Sequence, residues 1–129
     1  MAKAEGKTLT FLDEKAIDVA ILETFPYEGP RQRVLYETEE FSAVCPFSGL
    51  PDFGNLSIEY IPSKKIVELK SLKYYLLSYR NVGIYQEHAN ARLFEDLKKL
   101  LDAQELTVSL EYKTRGGIDT TTSVSTLED

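Results

Sequence analysis

The hydrophobic period of this chain switches from two to about 3.6 and back again, and the order of those switches restricts what it can fold into. Asn55-Leu56-Ser57-Ile58-Glu59-Tyr60-Ile61 alternates apolar and polar residues, as a strand buried on one face does. From Ser71 the spacing turns helical, with Leu72, Tyr75, Leu76 and Tyr79 on one side, and predicts a helix that stops near Asn81 or Gly83. A second helix is predicted from about Gln86 to Leu101, its apolar side marked by Ala89, Leu93, Leu97, Leu100 and Leu101. Leu106 to Tyr112 then alternates again as a closing strand.

Upstream, Arg33 to Phe41 reads as a polar-faced strand carrying Val34, Tyr36 and Phe41 among Glu37, Glu39 and Glu40. Pro62-Ser63-Lys64-Lys65 makes a hairpin-like turn into a short returning strand, Ile66 to Leu69. The order strand, strand, short strand, helix, helix, strand is an α+β plan: an antiparallel sheet with two sequential helices on one face. So small a sheet has two open edges that must be blunted or paired with another chain. Residues 1–21 form a polar arm with an apolar patch at Leu9, Phe11 and Leu12, and residues 17–25 read as a short helix or an extended arm ending at Pro26. The single domain spans 22–118, and the Thr/Ser-rich segment 119–129 reads as a mobile tail.

Composition excludes several classes of function. The formal net charge of −6 suits sequence-independent nucleic-acid binding poorly, because that binding displaces counterions with a basic surface. No apolar run is long enough to span a bilayer, and the first residues lack the apolar segment of a secretory signal. A lone cysteine cannot form an internal disulfide, which fits a reducing cytosol. With Cys45 and His88 as the only Cys and His, no metal site is expected, since zinc sites draw on several such ligands. A Ser-His-Asp triad has no recognisable nucleophile turn to stand on.

The chemistry concentrates elsewhere. Cys45-Pro46-Phe47-Ser48-Gly49-Leu50-Pro51-Asp52 is a lone thiol, a turn and a carboxylate. Such a turn can return Asp52 to the sulfur, where it can relay protons for a nucleophilic thiolate. Spacing alone leaves two readings open, a nucleophile or a small buried hydrophobe. Lys70 and Lys73 share one face at a helix start and are either a phosphate-binding patch or a solvated helix face. Arg115-Gly116-Gly117 is likewise a phosphate grip or a simple turn. Glu87 fits the dipole preference of a helix N-terminus, or receives two N–H donors from a guanine-like ring. His88 reads as a surface or capping histidine.

Taken in order, these fragments resemble one family. Cys-Pro-x-x-Gly-x-Pro-Asp-Phe (Cys45 to Phe53), Tyr-Ile-Pro (Tyr60 to Pro62), Glu-Leu-Lys-Ser-Leu-Lys-Tyr-Tyr (Glu68 to Tyr75), Ser-Tyr-Arg-Asn (Ser78 to Asn81) and Arg-Gly-Gly-Ile (Arg115 to Ile118) look like the NADPH-dependent 7-cyano-7-deazaguanine reductases, the QueF-type nitrile reductases. The similarity covers roughly residues 22 to 118, and the short length resembles the single-module branch. The resemblance implies the tunnelling fold, in which identical subunits join sheet edges into a barrel, two rings stack, and active sites lie between subunits.

It also implies a cytoplasmic enzyme reducing a nitrile to a primary amine with two NADPH, on the pathway to the tRNA base queuosine. Carried over by position, Cys45 would attack the nitrile carbon and Asp52 would move protons. Glu87, with Glu68, the Leu69 backbone and Gln86, would bind the deazaguanine; Lys70, Lys73, Arg115 and Gly116 would contact NADPH. Many family members carry His-Glu where this chain has Gln86-Glu87, and glutamine does not titrate, so the proton work falls on Asp52. The rivals are a transferase of the same fold that forms an amidine from the nitrile in tRNA, a pterin or cyclohydrolase-like enzyme of that fold, and a non-catalytic purine-binding assembly protein. No direct nucleic-acid contact and no membrane association are expected.

Overall fold

The computed structural model describes residues 2–127. In chain order its elements are β1 (Thr24–Pro26), β2 (Val34–Val44), β3 (Pro51–Ile61), β4 (Lys65–Val67), α1 (Leu69–Leu77), α2 (Gln86–Leu101), β5 (Glu105–Arg115) and β6 (Ile118–Ser125). Four strands make an antiparallel sheet in the order β2-β3-β5-β6. The alternation seen at 55–61 and 106–112 sets its inner face: Leu56, Ile58 and Tyr60 of β3 and Leu106, Val108 and Leu110 of β5 are all buried. Against them α2 lays Ala89, Leu93, Phe94, Leu97 and Leu101, while α1 contributes Leu72 and Tyr75. Each such side chain fully removed from water contributes roughly 1.5–3 kcal/mol before entropy is counted. The α+β plan with two sequential helices is thus observed; among the described residues no helix is long and apolar enough to cross a membrane.

Four local expectations are corrected. The strand expected to begin at Asn55 begins at Pro51, because Val44 pairs with Pro51 and Ala43 with Asp52 across a tight connection. Asp52 is therefore on a strand and not in a loop. The short strand β4 does not return onto β3; it pairs with β1 in a separate two-stranded sheet.

Helix α1 starts at Leu69 because the Glu68 carboxylate accepts the Lys70 and Ser71 N–H groups, both at 2.8 Å. It stops at Leu77, short of Asn81. There Ser78 Oγ donates to the Tyr75 carbonyl at 2.6 Å and accepts the Asp18 N–H at 2.9 Å, tying the helix end to the arm.

The segment from 119 onward is not an unanchored tail through residue 125: it belongs to β6, whose Thr120, Thr122 and Val124 pair with Tyr112, Leu110 and Val108. An edge strand needs β-branched residues more than apolar ones, which is why a Thr-rich composition concealed it. Residues 128 and 129 lie outside the described residues.

A bulge in β2 explains its irregular pattern. Thr38 pairs with Leu56 and Phe41 with Gly54, so Glu39 and Glu40 together face one residue of β3. The inward series changes parity there, from Val34, Tyr36 and Thr38 to Phe41 and Ala43.

Candidate active site

Cys45 is placed by three backbone ties. Its N–H donates to the Leu50 carbonyl at 2.9 Å and its carbonyl accepts the Gly49 N–H at 2.9 Å, closing the connection between β2 and β3. Just before it, Val44 bonds to Val82 and Ile84 through its N–H and carbonyl, anchoring the same turn to the segment that leads into α2. The arm supplies the third tie: the Leu9 N–H donates to the Ser48 carbonyl at 2.6 Å. Gly49 has φ +73°, and a Cβ there would lie 2.3 Å from the Leu9 carbonyl oxygen, so arm and turn meet only over a glycine.

That turn acts on the sulfur. The backbone N–H groups of Ser48 and Phe47, the Ser48 hydroxyl and the Arg115 guanidinium favour the thiolate, and lower the Cys45 pKa from 9.0 to about 7 against a small opposing effect of burial. About half of the thiol is then ionised at neutral pH. Cys45 is only half-buried and free.

Asp52 lies in the same cleft and is buried, 7 % exposed. Burial raises its proton affinity above the ordinary carboxyl value, and Arg115 pulls it part of the way back. The Arg115–Asp52 ion pair measures 2.8 Å, with 58 % of the arginine side chain still exposed. The arginine is held in place by the hairpin joining β5 to β6, where Arg115 pairs with Ile118 across Gly116-Gly117.

The cleft holding these groups has a volume of ≈ 430 Å³ and is also lined by Gln86, Glu87, Tyr85 and Tyr112. Glu87 stands in the first turn of α2, exposed to solvent. Gln86 is buried, and its amide donates to the Leu110 carbonyl at 2.8 Å and the Thr120 carbonyl at 2.9 Å. Both of its N–H donors are therefore committed to β5 and β6, which makes Gln86 a tie between α2 and the sheet.

A family model described as "QueF-like protein" matches residues 51–129. The NADPH-dependent 7-cyano-7-deazaguanine reductase of Thermotoga maritima is 54% identical over 129 residues, covering 99% of this chain and 94% of the relative. The chain belongs to the QueF-like family of 7-cyano-7-deazaguanine reductases. The reductase of Caldicellulosiruptor bescii is 58% identical over 106 residues, 81% of each chain. Among solved structures, the apo archaeosine synthase QueF-Like superposes with a TM-score of 0.65 at 22% identity, over 77% of this chain and 95% of its own. At that identity the likeness shows a shared QueF-like fold.

This QueF-like chain brings together Cys45, Asp52, Gln86, Glu87 and Arg115 in one cleft. Gly116 is in the turn that carries Arg115. Glu68, Leu69, Lys70 and Lys73 do not line it. Leu69 and Lys73 instead border a separate groove of ≈ 240 Å³ between α1 and β2. His88 is outside the cleft lining, its ring edge-on to Tyr85 at 5.9 Å between centroids. Sequence pattern did not single out Tyr85 or Tyr112; Tyr112 ends the inward-facing series of β5, where a tyrosine reads as core.

Proposed function

We propose that the protein reduces the nitrile of 7-cyano-7-deazaguanine to the primary amine of 7-aminomethyl-7-deazaguanine with two NADPH, in queuosine tRNA-base biosynthesis. The observation that carries this reading is 54% identity over almost the whole chain to proteins named for that reductase activity. The cleft supplies matching chemistry.

Cys45 as thiolate adds to the nitrile carbon; the sulfur–carbon bond forms, one π bond of the nitrile opens, and the nitrogen takes a proton, giving a thioimide. Asp52, with its raised proton affinity, holds that proton at a carboxyl oxygen and delivers it. Bound NADPH supplies hydride, two equivalents for the four electrons between nitrile and amine. After the carbon is reduced once, it expels the Cys45 thiolate, which the Ser48 and Phe47 N–H groups stabilise as a leaving group. Glu87 accepts N–H donors of the pyrimidine ring at the mouth of the cleft. Gln86 fixes the start of α2, and Glu87 with it, against the sheet through the Leu110 and Thr120 carbonyls.

The remaining candidates are read as a neighbouring subunit's contribution. Glu68 caps α1 and Leu69 begins it, outside the lining of the Cys45 cleft, and among the described residues no strand pairs with the outer edge of β2 or of β6. Edge pairing between copies into a barrel, with two rings stacked, brings an α1 of one subunit to the cleft of the next. Lys70 and Lys73 carry no ion pair within 4 Å among the described residues. That donor set fits the phosphates of NADPH, with Arg115 and the backbone at Gly116 adjoining. The enzyme is read as cytoplasmic, with no direct nucleic-acid or membrane partner.

The test is NADPH oxidation on adding 7-cyano-7-deazaguanine. Two NADPH are consumed per amine formed, falling to background in Cys45→Ala. Formation of the amine without NADPH loss, or no reaction at all, overturns the reading.

A further inference from the structure

Tyr112 is an inward-facing residue of β5, opposite Gly54 of β3. A Cβ at Gly54 would lie 2.7 Å from Tyr112 Cδ1, so the ring occupies the space that glycine leaves open. Asp52 is the next inward-facing residue along β3, on the side of the cleft. Tyr112 therefore forms part of the lining of the cleft that also holds Cys45, Asp52 and Glu87.

Its hydroxyl has no hydrogen-bond partner among the described residues, although it is shielded from solvent and the residue is 7 % exposed. Such a group costs about 1–3 kcal/mol if nothing ever pairs with it, and buried hydroxyls in folded proteins nearly always have partners. The other buried polar atom in that position, Asn90 Oδ1, is on α2 and does not line the cleft. Burial and the facing Asp52 and Glu87 carboxylates keep the phenol protonated at neutral pH, Arg115 opposing them. Tyr112 thus offers both a donor and an acceptor.

We propose that Tyr112 is a substrate-binding residue: its hydroxyl pairs with a polar edge of the bound deazapurine, and it is left unpaired in the free protein for that contact. This rests on the reading of the cleft as the 7-cyano-7-deazaguanine site. Arg115, more than half exposed, is the adjoining side chain with freedom to shift as the base seats. The contact contributes affinity and orientation; it moves no electrons and takes no part in the bond changes at sulfur.

Tyr112→Phe removes only the hydroxyl and keeps the ring on Gly54, so the fold is not at risk. Two measurements are made on wild type and variant: thermal unfolding of the free protein, and the 7-cyano-7-deazaguanine concentration giving half-maximal saturation of Cys45 by intact mass. The expected result is an unfolding temperature equal to or above wild type, with about 5- to 10-fold weaker binding, and an unchanged pH midpoint for Cys45 alkylation. Equal affinity in both proteins overturns the inference, as does a lowered unfolding temperature, which would mean the hydroxyl is already paired internally. If wild type itself takes up no 7-cyano-7-deazaguanine, the reading of the site fails, a result distinct from either of those.

Discussion

Two of the polar clusters in this fold are finished to different degrees. Between α1 and α2, Tyr75 donates to Asp96 at 2.7 Å, Tyr75 and Tyr79 share a hydroxyl contact of 2.9 Å, and Arg92 Nε donates to the same Asp96 oxygen at 2.8 Å. Every member has a partner. In the cleft, by contrast, the Tyr112 hydroxyl has none among the described residues, Cys45 is half-ionised and open, Glu87 is exposed, and Arg115 is only partly engaged. A saturated cluster fastens elements together, whereas an unsaturated one keeps bonding capacity for something that arrives. The difference predicts where mutations will be felt: stability for the first, ligand chemistry for the second.

The largest effect falls on Asp52. Asp52→Asn keeps the shape and removes the titratable proton, so turnover drops by about 10²–10⁴-fold, measured as NADPH oxidation. Stability does not drop with it. Because folding raises the proton affinity of Asp52, this carboxyl supports the folded state when protonated and loses that contribution as pH rises above the ordinary carboxyl range. The asparagine variant is therefore as stable as wild type or more so at neutral pH, and a marked loss would place Asp52 with the structural cluster.

Next comes the thiol. Cys45 alkylation by iodoacetamide should follow a titration with its midpoint at about 7. At neutral pH it should run roughly ten-fold faster than for an unperturbed thiol. Removing residues 2–12 frees the Ser48 turn and moves the midpoint upward; a midpoint near 9 in the intact chain would mean that the Ser48 and Phe47 N–H groups do not act on the sulfur.

Asp96→Ala sharpens the other side of the comparison. It strips the shared acceptor from Tyr75 and Arg92 and should cost about 1–3 kcal/mol of unfolding free energy by denaturant titration, with Cys45 alkylation unchanged. The smallest effect is expected at Gln86. Gln86→Ala orphans the Leu110 and Thr120 carbonyls and should cost about 1 kcal/mol, raising KM for the nitrile more than it lowers kcat, since in the proposed site Gln86 serves only to position Glu87.

Much of this was legible in the sequence where a period or a spacing carried it. The alternation at 55–61 and 106–112, and the 3.6-residue spacing of Ala89, Leu93 and Leu97, set the sheet's inner face and α2. The Cys45–Asp52 spacing signalled a turn that can return the carboxylate toward the thiol, although the strand that begins at Pro51 and carries Asp52 was not visible. What escaped was set by tertiary pairing. Glu39 and Glu40 gave no local sign of a bulge, β4 could not announce that its partner is β1, and β6 is too polar to read as sheet. The proximity of Arg115 to Asp52 and the binding of Gln86 to two backbone carbonyls depend on contacts between residues 63 and 24 or more positions apart. The separation of Glu68 and Leu69 from Cys45 within one chain accords with the proposed assembly from several copies.

The central claim is that Cys45 bonds covalently to a nitrile. Intact mass spectrometry of the protein mixed with 7-cyano-7-deazaguanine, in the absence of NADPH, tests it directly. The expected result is a mass gain equal to one whole substrate molecule per chain, absent in Cys45→Ala and lost from wild type when NADPH is added. A wild-type mass that stays unchanged at saturating 7-cyano-7-deazaguanine, or a gain that persists in Cys45→Ala, would contradict it.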